Sequence, residues 1–407
     1  MRNVPSDICT SSFFFACFLM IVYMITHIHL HLRFALRRDK VYPRLCRSHL
    51  DSSFLYHAPS TCAVCEKPAS DKCARCRASA YCSKECQAAD WKTHKTACAD
   101  LQLATILERT ADIVHKAYLN FRETTWDTVN FKVEIRDDEV VVYDEFKPHP
   151  SPLFIPFPNH LMKDEGVKEA VLTFDTCNEP LVYMEELFQQ LLHGCAIKIQ
   201  EVGIKLKPVP RKTTAVFIDG TVRTNWPDNI HEVLRVTSTK SGKTWYIDIS
   251  GGQYGITRTF WTAKEFYATY VKTIVSVLPF GSNKKKVSDG GQCPGLAGLV
   301  LRKTMEASTL ISEAIATWTK ANKISLSALV RLPSGTFESE KEALLTALHQ
   351  PVRDFVLDSD FTKQKDAAAI EHLEHNSGRP LTEKQKKLYT GLLQTAGKGA
   401  KLRLPAF

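Results

Sequence analysis

Residues 62–98 constrain this chain more than any other stretch. They run Cys62-x2-Cys65, Cys73-x2-Cys76, Cys82-x3-Cys86 and His94-x3-Cys98. Eight ligand-type side chains in four pairs is the number that two four-coordinate zinc ions require. The two-residue gaps suit tight knuckle turns. Cys82/Cys86 and His94/Cys98 are each four apart, which predicts both members of a pair on one face of a helix. A disulfide cluster is the competing arrangement, but seven thiols leave one over and His94 has no role in it. So short a stretch has too little core to offset its chain entropy, and metal binding must supply the folding free energy.

The residues between the ligands sharpen this reading. The segment carries Tyr81-Cys82, Cys86-Gln87-x3-Trp91 and His94-Lys95-x2-Cys98, and it closely resembles a MYND-type zinc finger. The resemblance covers 37 of the 407 residues and leaves the remainder unassigned. It implies two interleaved sites, with Cys62, Cys65, Cys82 and Cys86 on one zinc and Cys73, Cys76, His94 and Cys98 on the other. All positions are then filled by protein, so both zincs are structural, with no open catalytic position. It also implies that Gln87 and Trp91 form a groove for short proline-containing peptides. Four apart on a helix, they share a face. An aromatic plate beside an amide donor suits an extended proline segment with unpaired carbonyls. The other role for Trp91 is packing the finger's small core. Lysine methyltransferases also carry MYND fingers, within a SET domain, but the Asn-His-Ser/Cys and Gly-x-Gly signatures of that domain are missing from the sequence.

The formal charge of +9 invites a nucleic-acid reading. Within 62–98, however, seven Lys and Arg face four Asp and Glu, and seven thiolates with two zinc ions add −7 + 4 = −3. The metallated finger is near neutral and has no electrostatic footprint for a phosphate backbone. Nucleic acid is therefore not an expected partner. Of thirteen cysteines, six (Cys9, Cys17, Cys46, Cys177, Cys195 and Cys293) lie scattered outside the finger. That usage argues for a reducing compartment.

Residues 8–32 contain no Asp, Glu, Lys or Arg, and 13–25 are apolar and aromatic without a break. Extended to Leu32, the run spans about 30 Å as a helix, enough to cross a bilayer. Arg2 alone precedes it, whereas Arg33, Arg37, Arg38, Lys40, Arg44 and Arg47 follow. The positive-inside bias predicts a single-pass transmembrane helix over 8–32 with the finger facing the cytosol. The alternative is a soluble cytoplasmic or nuclear protein from whose mature form the segment is absent.

The expected fold is a small two-zinc finger, an α+β domain with an antiparallel sheet over 99–280, and a helical region over 296–407. Residues 33–61 read as a linker. An amphipathic helix follows Cys98, with Leu103, Ile106, Leu107, Val114, Ala117, Tyr118 and Phe121 at helical spacing. A hairpin over 129–135 and 139–144 precedes a proline-rich stretch, 147–158, expected as an extended surface segment. Two helices are expected within 166–194, then strands at 196–206 and 213–219. A second hairpin over 230–250 turns at 237–243, and the glycines of 251–255 end it. A helix over 262–278, a loop over 283–291, and helices at 296–320, 338–349, 359–375 and 382–396 complete the reading.

Cys195, His231 and Asp248 are a candidate catalytic set. A cysteine, then a histidine opening a strand, then an aspartate ending the partner strand resembles transglutaminase-like and papain-like cores. There an imidazole takes the thiol's proton and a carboxylate orients the ring. Cys195, however, lies at a helix end leading into a strand, not at the start of a helix as in those families. Two functions stand side by side: an adaptor whose finger recruits proline-containing peptides at the cytosolic face of a membrane, and a cysteine hydrolase or acyltransferase targeted by its finger.

Overall fold

The computed structural model describes residues 61–145 and 153–387. The membrane-span reading of 8–32 and the linker of 33–61 lie outside these, save for Thr61. Among the described residues no helix is long and apolar enough to cross a membrane. Two compact units divide at Lys92/Thr93, earlier than the 98/99 boundary read from the ligand run.

The first unit is built on two matching turns. The N–H of Glu66 bonds the carbonyl of Cys62 at 3.0 Å, and that of Arg77 bonds Cys73 at 2.8 Å. Glu66 and Arg77 both sit at positive φ, 60° and 54°. A two-stranded ribbon, β1 (Asp71–Lys72) against β2 (Ala80–Tyr81), joins the turns to helix α1 (Lys84–Thr124). Cys82 precedes this helix, so it does not share a helical face with Cys86 as the four-residue gap suggested.

Helix α1 runs 41 residues without a glycine or proline. Beyond the ligands it buries Leu107, Ala111, Val114, Tyr118 and Phe121 at three- and four-residue spacing. Arg122 closes it, bonding the carbonyl of Thr125 at 3.3 Å and the Asp127 carboxylate at 3.0 Å, a cation where the helix dipole is negative.

The second unit contains two sheets. Strands β3 (Asn130–Arg136) and β4 (Glu139–Asp144) form the expected hairpin. β6 (Lys212–Phe217) then adds to β4 in parallel, and β7 (Val222–Thr224) to β6, giving the order β3-β4-β6-β7. The parallel pair departs from the purely antiparallel expectation; it joins strands far apart in sequence. Helix α2 (Glu165–Thr173) covers this sheet with Val167, Ala170 and Val171 against Val140 and Val142. Of 147–158, the described part is not a surface segment: Leu153, Phe154 and Phe157 are buried, because the apolar residues between the prolines anchor it.

The other sheet is fully antiparallel, in the order β10-β9-β8-β5-β11. Its strands are β5 (Ile197–Leu206), β8 (His231–Ser238), β9 (Thr244–Ile247), β10 (Phe260–Thr262) and β11 (Val271–Pro279). Side chains alternate between its faces. Leu234, Val236, Trp245 and Ile247 join a core with α1, with α3 (Glu179–Tyr183) and α4 (Glu185–Leu191), and with the C-terminal helices. Val233 and Tyr246 point the other way, toward Tyr254 and Phe266.

Several boundaries differ from the sequence reading. The 262–278 segment is a short helix, α5 (Ala263–Thr269), held by a Thr262/Glu265 capping box, and then β11. Val271, Ile274, Val275 and Val277 are β-branched, and pairing with β5 decides their state. Residues 166–194 hold three helices, because Asn178-Glu179-Pro180 starts a new one. The 283–291 loop is a helix, α6 (Ser282–Gly290). Its first N–H groups are met by buried Glu201, which accepts from Gly281 at 2.8 Å and Asn283 at 2.9 Å. C-terminal helices α7 (Leu296–Asn322), α8 (Leu326–Leu329), α9 (Ser334–Asp358) and α10 (Thr362–Ser377) follow. Helix α9 runs through Pro351 instead of stopping near 349, because Leu348 and Val352 on either side are buried. The 382–396 helix is described only to 387.

Glu201→Ala removes an acceptor from two helix-start N–H groups. We expect a loss of about 1–3 kcal/mol in urea unfolding with zinc content unchanged. An unshifted midpoint contradicts this role for Glu201.

Candidate metal centre

The eight ligand residues gather into two groups of four. Cys62, Cys65, Cys82 and Cys86 form one; Cys73, Cys76, His94 and Cys98 form the other, with ligand atoms in each group within 4.8 Å of one another. In the first group Sγ separations are 3.4 Å for Cys65–Cys82, 3.6 Å for Cys82–Cys86 and 3.9 Å for Cys65–Cys86. A disulfide needs about 2.05 Å. A tetrahedron of sulfurs about 2.3 Å from zinc has edges of about 3.8 Å. The spacing is that of a metal site, and all ten described cysteines are free of disulfides.

Protonation points the same way. Backbone N–H groups, that of Cys82 first, draw Cys62 down to about 6. Neighbouring sulfurs, Cys65 first, push Cys82 up to about 12. Four adjacent sulfurs cannot all ionise without a cation among them, and Zn2+ supplies it. Tyr81 fastens ribbon to helix, its buried hydroxyl donating to Asp90 at 2.7 Å. Burial and that carboxylate push the phenol up to about 12.

The family model for the MYND finger matches this same stretch, 62–98. Residues 62–98 are a MYND-type zinc finger. Three curated proteins share it. The SET domain and MYND-type zinc finger protein 6 of Schizosaccharomyces pombe is 49% identical over 53 residues, covering 13% of this chain and 11% of that protein. The Zinc finger MYND domain-containing protein 10 homolog of Drosophila melanogaster is 50% identical over 38 residues, 9% of this chain and 8% of its own. Ubiquitin carboxyl-terminal hydrolase 19 of Arabidopsis thaliana is 44% identical over 46 residues, 11% and 7%. The chain thus spans about a tenth or less of the length of these relatives. No solved structure matches the chain. The MYND finger is a protein–protein interaction module, and its two sites fit two zinc ions.

Gln87 and Trp91 lie on α1, one turn apart. Trp91 is 39% exposed, and the Arg75 guanidinium lies 5.6 Å from its ring centroid. The other candidate residues sit in the second unit. His231 and Asp248 meet: Nε2 and Oδ2 are 2.9 Å apart, with both side chains 0% exposed. The β8–β9 register sets them diagonally on one face. Cys195 is not with them. Ile197 pairs with Ser238 whereas Ile204 pairs with His231, so Cys195 lies beyond the opposite end of β8, roughly 20 Å away at the rise of a strand. Its Sγ instead accepts from Arg331 Nη2 at 3.2 Å. The thiol beside the pair is Cys177, which the sequence reading left among the scattered cysteines.

Burial alone lowers the proton affinity of His231; Asp248, with Cys177 adding, overcomes it and raises the group to about 10. A folded value above the ordinary one of about 6.5 gives stability fully present below pH 6.5 and lost as pH climbs toward 10. Urea midpoints are expected to fall across that window, and His231→Gln to flatten the fall.

The purified protein should carry two zinc ions per chain by elemental analysis. Cys76→Ser or His94→Ala should unfold the finger, because the lost metal affinity is lost folding free energy. A folded finger with one zinc defeats the two-site account.

Proposed function

We propose that the MYND finger recruits short proline-containing peptides against Trp91 and Gln87, with the remainder of the chain acting as a scaffold. The observation that carries this reading is the exposure of Trp91. A tryptophan serving only as finger core would be buried; here it keeps 39% of its surface in water. The Arg75 guanidinium beside its ring forms a cation–π contact that steadies the indole. Gln87, one turn earlier on the same helix face, brings an amide donor for a peptide carbonyl. Proline segments suit such a surface because they are already extended and lose little entropy on docking.

The proposal extends to location. The charge-free run over 8–32 and the one-against-six excess of Lys and Arg behind it support a single-pass anchor with the finger in the cytosol. Adaptor and membrane readings fit together: a tethered finger gathers partners at a surface.

Trp91→Ala should keep two zincs and a folded finger while weakening a proline-rich peptide by at least about tenfold in titration calorimetry, as removal of an aromatic anchor does. Undiminished affinity means that no groove exists there. Separately, carbonate extraction should leave the full-length protein in the membrane pellet; release into the soluble fraction removes the anchor from the proposal.

A further inference from the structure

We propose that Cys177 is a nucleophilic thiol served by His231 and positioned Asp248, a second functional site that takes acyl groups from thioesters. It is independent of the peptide groove.

Four observations place the parts. His231 and Asp248 are fully buried and joined through Nε2. The second ring nitrogen, Nδ1, is buried with no hydrogen-bond partner. Cys177 lies just before α3, is partly exposed, and holds its Sγ 3.5 Å from the carbonyl oxygen of Ile230, the residue preceding His231. The ring of Tyr254 packs edge-on against the imidazole, with centroids 4.8 Å apart, and walls it from water.

The turn that carries Cys177 is fastened on both sides. Asp175 accepts from Asn229 at 3.1 Å and pairs with Arg223 at 2.6 Å, while its backbone N–H donates to Gln253. Thr176 accepts from the buried Tyr118 hydroxyl at 2.8 Å. The sulfur is thereby held in place, as a reacting group must be.

A purely structural His–Asp pair explains less. An orphaned buried ring nitrogen is destabilising, and packing alone gives nothing in return. A base set beside a thiol does. The titratable groups around the ring are Asp248, just after β9, the Cys177 sulfur and the phenol of Tyr254, with Asp175 nearby paired with Arg223. Together the first two raise the ring's proton affinity, so that a proton passed to it from the Cys177 sulfur is held on the ring, leaving a thiolate beside an imidazolium.

Burial of His231 selects the substrate class. An amide's leaving nitrogen needs a proton as it departs, and a ring with no exposed surface cannot hand one outward. A thiolate leaves without one. In the step, Nδ1 takes the Cys177 proton and the sulfur adds to the thioester carbonyl carbon. The new C–S bond forms as the old one breaks. The expelled thiolate takes a proton from solvent, while His231 keeps the proton it took until the Cys177 sulfur is released again and takes it back. Thiol plus thioester give thioester plus thiol, with no change of oxidation state.

The test uses the full chain with its zinc and the acetyl thioester of N-acetylcysteamine, with peptide mapping of acetylation at each cysteine. Cys177 should acetylate about a hundredfold faster than Cys293, the usual range for a positioned base. Folded His231→Gln should bring Cys177 down to the Cys293 rate, and Asp248→Asn should shift the pH profile of its acetylation. Equal rates at Cys177 and Cys293 in the parent overturn the proposal, and that comparison decides alone should His231→Gln not fold. An unchanged Cys177 rate in folded His231→Gln also overturns it. A peptide p-nitroanilide should not be cleaved; cleavage refutes the restriction to thioesters.

Discussion

Sulfurs 3.4–3.9 Å apart repel once ionised, and only a cation between them turns that repulsion into attraction. The finger depends on this. Its apolar core amounts to little more than Tyr81 and Ala80 beside the buried ligands. The matched turns at Glu66 and Arg77, the two-stranded ribbon and the first turns of α1 serve to deliver ligand atoms to two points. Chain entropy that a larger domain offsets by burying apolar surface is offset here by coordination.

The second unit rests on a different balance. Its antiparallel sheet buries both faces, so alternate residues of β8 and β9 must all be accounted for. Leu234, Val236, Trp245 and Ile247 do so with hydrocarbon. On the opposite face His231 and Asp248 do so with charge, which is tolerated only because each neutralises the other. The same low-dielectric setting that makes the pair costly when broken holds the proton on the imidazole when it is intact. Glu201 follows similar logic: a buried carboxylate is kept because two N–H groups at the start of α6 surround it.

Much of this was legible residue by residue. The eight ligands and their two zincs were readable because the spacing is local and the chemistry of Cys and His is narrow. Pairing of His231 with Asp248 was readable because a hairpin's register follows from its turn. Trp91 and Gln87 were placed on one helix face by a four-residue gap. Cys177 was not legible as a partner of His231: 54 residues separate them, and no periodicity links a helix-start turn to the edge of a strand. Cys195 was placed there by chain order, which carries no distance. The helix over 262–278 was misjudged because Val271, Ile274 and Val277 suit a buried helix face or a strand equally well, until β5 supplies an edge to pair with.

The sequence by itself determined the finger: ligand identity and short spacing call for two zinc ions, and the resemblance to MYND fingers implied which four ligands share each. It also determined the long helix α1, whose 41 residues lack any breaker, and the hairpins, whose turns are local. Tertiary structure alone decided the parallel joining of β4 to β6, the capping of α6 by a carboxylate some 80 residues away, and which thiol His231 meets. Those outcomes depend on groups brought together by burial, and burial is a property of the whole packed chain, not of any stretch within it.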